Sequence, residues 1–190
     1  RLIGGASDIL SLANIHVSQK AKLIQNLSRL DADYVIIDLG AGTSYNVLDF
    51  FLAGDKKIVV LIPQPISIQN AYAFIRNTVY RRLSQLVNQK SSLQSLIKTA
   101  MDTNNELKVR TVSELLQIVE ELNGKEAMSA LQGEIRRIQP FVITNMVRTN
   151  RDKGAGRVIQ MVADKYLMIR SVDLGSIVYE PVPYTHLHLP

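Results

Sequence analysis

The 190-residue sequence contains no cysteine, which excludes disulfides and thiolate metal sites and suits a reducing cytoplasm. No apolar run approaches the roughly 18 residues that cross a bilayer, and no basic start with a small-residue cleavage site marks a secretory signal. A strong excess of one charge is also missing. The 22 basic and 17 acidic side chains leave a net charge of +5, spread as +1 over residues 1–80, +2 over 81–139 and +2 over 140–190. Nucleic-acid surfaces concentrate their basic charge, so nucleic acid is not the expected partner. The one local cluster, Arg148, Arg151, Lys153 and Arg157, reads as solvated loop or as a contact for an anionic partner. Outside the unusual tail no basic amphipathic end occurs, so no membrane role is assigned.

What the sequence does contain is enough apolar material, 46% of residues, for one domain with a substantial core. Residues 34–38 (YVIID) and 57–62 (KIVVLI) are short, β-branched and continuously apolar, as strands buried on both faces of a parallel sheet are. Residues 141–145 and 172–179 read as two further strands, and 2–5 as a strand end. Helical periodicity lies between them, at 17–30 with Ser18 as N-cap, from Ser67 as N-cap to about Leu83, and at 155–167. Alternating strands and helices predict an α/β fold, a mostly parallel, doubly wound sheet with helices on both faces. From Arg81 to Gln139 the alternation stops. Three helical stripes take over, around Leu93 to Met101, Leu115 to Leu122 and Ala127 to Ile138, with residues 102–108 as a polar loop and Thr111 with Glu114 as a capping box. The expected organisation is an α/β domain from 1–80 and 140–190 with a helical insertion at 81–139.

The stretch DYVIIDLGAGTSYNVLDFF (33–51) bears the chemistry. Ligands of open α/β sheets bind beyond the carboxyl ends of strands, where helix N-termini gather. Asp38 stands at such an end, and a carboxylate there can hold magnesium through water while loop amides meet phosphate. Gly40 and Gly42 allow close approach and positive φ. The plainer alternative is that Asp38 caps the next helix and the glycines only make the turn. A dinucleotide fingerprint is disfavoured, since Tyr45 stands at the third glycine position.

DYVIIDLGAGTSYNVLDFFL (33–52) resembles the second nucleotide motif of the MinD/ParA family of P-loop ATPases, and DKKIVVLIPQPISIQNAYAFI (55–75) resembles that family's next strand and helix. FVITNMVRT (141–149) and LGSIVYEP (174–181) are similar to the strands that flank the adenine, and the nearest branch is that of the flagellar regulator FlhG. The resemblance implies that Asp38 is the Walker B carboxylate ordering magnesium and water, and that Gly40, Gly42 and Thr43 belong to the switch loop, the Gly42 amide sensing the γ-phosphate. It also implies that Asn145 and Pro181 lie by the base. ATP and Mg2+ are the implied ligands, a homodimer closed around ATP the implied active form, and residues 81–139 a surface for a protein partner.

Motifs that this family needs are missing. No G-K-[ST] occurs; the only Gly-Lys pair, Gly124-Lys125, precedes Glu126. KGAGR (153–157) imitates a phosphate loop, but Arg157 and Val158 stand where lysine and a hydroxyl residue belong. In the family the P-loop, the first switch and the first strand come before the matched region. A chain beginning at Arg1 is therefore expected to be the carboxyl-terminal part of a larger ATPase, inactive alone, or a relative that has lost nucleotide chemistry and serves as an interaction module. Gln64 departs from the glutamate of FlhG-like relatives. The tail 183–190 matches nothing in the family, and its His186 and His188 lack the further ligands of a metal site.

Overall fold

The computed structural model describes residues 16–87, 91–102 and 108–181. The strand end at 2–5, most of the 102–108 loop and the tail 183–190 with its histidines lie outside the described residues. Contacts divide the chain into two compact units, Arg1–Asp55 and Lys56–Pro190.

In the first unit, α1 (Val17–Leu27) and α2 (Tyr45–Ala53) flank residues 28–44. His16, not Ser18, stands at the N-cap of α1; Ser18 Oγ instead lies 3.0 Å from His16 Nδ1. Ser44 caps α2 by accepting from the Val47 amide at 3.4 Å. The strand expected at 34–38 joins no ladder, with Tyr34 89% and Ile36 91% exposed. A parallel strand exists through its neighbours, and among the described residues of its own unit this segment has none.

The second unit carries a three-stranded parallel sheet in the order β1 (Lys57–Leu61), β2 (Pro140–Val147), β3 (Val172–Val178). Pro63 and Pro65 end β1 and open α3 (Pro65–Leu86), in which Pro65 occupies the first turn, where its missing N–H costs nothing. Gln64 is the N-cap; Ser67, expected there, accepts from the Ile62 amide at 3.1 Å and so ties the strand end to the helix. After α4 (Ser92–Met101) and α5 (Val112–Arg136), β2 leads through a 3-10 turn (Asp152–Gly154) into α6 (Ala155–Leu167) and then β3.

Both crossovers place their helices on one side. α3 packs on β1 and on α6, and α6 on β2 and β3, so β1 buries Val59 and Leu61 while Ile58 and Val60 are 51% and 59% exposed. The expectation of strands buried on both faces is therefore corrected to one covered face among the described residues. Ile75, Val79 and Leu83 of α3, Val142 of β2, and Ile159 and Ala163 of α6 are buried on that side.

The helices of 81–139 follow their stripes. Ile97, Leu115, Val119, Leu131 and Ile135 are buried, and the Thr111 and Glu114 capping box forms in both directions. Arg76 of α3 donates to the Ala100 and Met101 carbonyls at the end of α4, where a cation suits the helix dipole. Gly124, at φ 84° and ψ 166°, breaks α5 into two helical runs. Leu122, expected on the buried stripe, is 69% exposed, because the chain changes direction just beyond it.

Candidate functional site

Asp38, Gly40, Gly42 and Thr43 all belong to the first unit, on the exposed segment between 34 and the start of α2. The Asp38 carboxylate is exposed and makes no hydrogen bond or ion pair with described residues. The capping alternative does not apply, because Ser44 fills that role. A solvated, unpartnered carboxylate fits a magnesium ion held largely through water, which asks one or two carboxylates of the protein and the rest from water and phosphate. Among the described residues no group of three His, Cys, Asp or Glu forms an all-protein metal cage. Gly42 sits at φ +124°, which a side chain rarely adopts, and open space surrounds it; Gly40 takes no such angle. Its amide and that of Thr43 precede the N-terminus of α2, the end of a helix that favours anions.

Asn145 and Pro181 belong to the second unit, at the carboxyl ends of β2 and β3. Asn145 Oδ1 accepts from the Met146 amide at 2.8 Å, which supports the left-handed Met146 at φ 57°. That leaves the Asn145 side-chain amide nitrogen for another partner. Pro181 is exposed just beyond β3. Two residues that the sequence did not single out as a pair bind these ends together. The Tyr179 amide donates to the Val147 carbonyl at 2.9 Å, and the Arg148 guanidinium lies over the Tyr179 ring at 4.2 Å.

Asp152 organises the same corner. Its Oδ2 accepts the Arg148 and Thr149 amides at 2.9 and 2.8 Å, and these backbone bonds hold its carboxyl below the ordinary value. The signal was legible as T-x-x-D at 149–152, the capping-box spacing. Of the basic cluster, Arg148 is thus engaged with Tyr179, while Arg151, Lys153 and Arg157 are exposed.

The imitation phosphate loop at 153–157 is closed to an anion by its own neighbour. A Cβ on Gly156 would meet the Asp173 carboxylate at 2.6 to 2.9 Å, so a negative charge already occupies that side of the α6 start. Asp173 Oδ1 also accepts the Gly175 amide at 3.0 Å, where Gly175 at φ +112° accompanies a slip in the β2 and β3 register.

Parallel strands joined through helices, with polar loops at their carboxyl ends, define an α/β protein compatible with a P-loop-like fold. No protein-family model matches the chain. It is similar to the antiactivator FleN of Pseudomonas aeruginosa, 32% identical over 78 residues that make up 40% of this chain and 28% of FleN. The chain thus spans under a third of that relative's length. Among the described residues no helix is long and apolar enough to cross a membrane.

Proposed function

We propose that these residues are part of a MinD/ParA-like regulatory ATPase, a switch that dimerises around Mg-ATP and releases a partner on hydrolysis. The observation that carries the reading is Asp38, an exposed carboxylate without a partner among the described residues, directly ahead of a glycine loop that leads into α2, whose N-cap is Ser44. The likeness to the antiactivator FleN over 40% of this chain supports the family. FleN's description as an antiactivator directs the proposal towards a cytoplasmic protein that restrains an activator.

In this reading residues 34–38 are a strand of a larger doubly wound sheet, which accounts for an apolar segment left exposed here. Asp38 orders magnesium and its water, and the ion when bound offsets phosphate charge. The Gly42 and Thr43 amides report the γ-phosphate, and Asn145 and Pro181 border the base. Such an activity also needs a phosphate loop and a first switch beside these residues, because positioning and electrostatics are the main sources of rate in phosphoryl transfer. The test is ATP turnover by the complete protein beside its Asp38→Asn variant. The variant is expected to fall by about two orders of magnitude, the usual cost of losing a charge-stabilising group. Absence of ATP binding in both proteins overturns the reading.

A second reading is a non-enzymatic interaction module whose working surface is 81–139. It draws on Leu122, exposed beside the Gly124 break and among Glu120, Glu121 and Glu126. In either reading this surface docks a protein partner. Partner binding that survives Asp38→Asn but fails in Leu122→Glu, with no turnover in any form, would favour the module.

A further inference from the structure

Lys20 and Asp49 form an ion pair between α1 and α2 with side chains only 8% and 9% exposed. The other ion pairs described, Arg82 with Glu134 and Arg137 with Glu134, are on more open side chains. Lys20 is also the only buried side chain among those described on α1, while Leu23 is 42% exposed. On α2, Asp49 is buried between Leu48 and Phe51, so a desolvated charge pair joins α1 to a face of α2 that is otherwise apolar. A desolvated pair tolerates little misplacement, since charges drawn apart lose their attraction while the cost of their burial remains, whereas apolar side chains slide past one another at small cost.

We propose that Lys20 and Asp49 are positioning residues. Their pairing fixes α2 on α1 in one register, and so fixes the end of the Asp38 to Ser44 loop, which Ser44 joins to the first turn of α2 through the Val47 and Leu48 amides. Asp49 stands one turn beyond Tyr45 at the start of α2. The consequence for function rests on the reading of that loop as the nucleotide switch; the register lock itself does not.

The absence of cysteine makes the test direct. Spin labels on Lys22→Cys and Ala53→Cys, exposed positions of α1 and α2, report the separation of the two helices in the full chain without nucleotide. The parent is expected to give one narrow distance distribution. The apolar pair Lys20→Met with Asp49→Leu keeps the thermal midpoint, as apolar replacement of a buried ion pair commonly does, yet broadens the distribution about twofold. Because that variant also removes both charges, the exchanged pair Lys20→Asp with Asp49→Lys is measured beside it and is expected to restore the narrow distribution. An apolar pair as narrow as the parent overturns the proposal, as does an exchanged pair that stays broad with its thermal midpoint intact. Because no nucleotide is present, a null result for Asp38→Asn turnover leaves this outcome unaffected, and a failed register lock leaves the ATPase reading standing.

Discussion

Residues 34–38 (YVIID) and β1, Lys57–Leu61 (KIVVL), are close to interchangeable on paper, and they come to opposite ends. In β1 the backbone pairs with β2 from Lys57 opposite Pro140 to Leu61 opposite Thr144, and α3 covers Val59 and Leu61. In 34–38 no ladder forms, and Tyr34 and Ile36 stand almost fully exposed. Both stretches have the side chains of a strand. What differs is the surface against which those side chains fit, since β-propensity records packing on neighbours more than any preference of the isolated backbone. An exposed apolar segment of this kind also marks a place where another strand or chain is able to add.

The largest effect that would sharpen the contrast lies at Leu61, which is 2% exposed. Leu61→Ala should cost about 2–5 kcal/mol in urea unfolding, the transfer loss together with a cavity under α3. In these 190 residues on their own, Ile36→Ala should stay within about 0.5 kcal/mol, as exposed positions do. Equal costs at the two sites would break the comparison, for they would mean that 34–38 is packed in solution.

Next in size are two glycines, one from each unit, whose substitutions should cost about 1–3 kcal/mol each for different reasons. At Gly156 the obstacle is a contact, the Asp173 carboxylate held in place by the Gly175 amide. At Gly42 nothing lies within 4 Å of an added Cβ, and the obstacle is the backbone angle alone. Asp173→Ala should therefore recover most of the loss in Gly156→Ala, a coupling that a double-mutant cycle reads directly. A Gly156→Ala loss that Asp173→Ala leaves untouched would refute the steric account.

The same contrast explains what the sequence could and could not disclose. The capping box at Thr111, the extent of α6 and strands β1 to β3 were legible because each is set by local periodicity, a cap or a proline. The N-caps at His16 and Gln64 were misread, since Ser18 and Ser67 are good cap residues by type and found other partners, His16 Nδ1 and the Ile62 amide. The bare face of the sheet could not be read, because Ile58 and Val60 look as buried as Val59 until the helices are known to share one side. At the site, Asp38 and its glycines stood out by their order along the chain. Arg148 with Tyr179, and Lys20 with Asp49, did not, because each pair is distant in sequence and has no spacing rule to announce it.

Charge pairs carry the comparison to its smallest expected effect. In the second unit Glu134 of α5 accepts from Arg82 of α3 and from Arg137. The Arg82 hydrogen bond, with the charges of both arginines, holds its carboxyl below the ordinary value of 4.5. A depressed carboxyl contributes stability that is complete above its unfolded value and lost as the pH falls through the lower folded one. Glu134→Gln should thus lower stability by about 0.5–1 kcal/mol at pH 7, typical of a partly open pair, and the difference should vanish in acid below that window and shrink in molar salt. The buried Lys20 and Asp49 pair should resist the same salt, since screening acts on exposed charge. A Glu134→Gln deficit that persists unchanged at pH 3 would assign the residue to packing between α3 and α5 and not to its ion pairs.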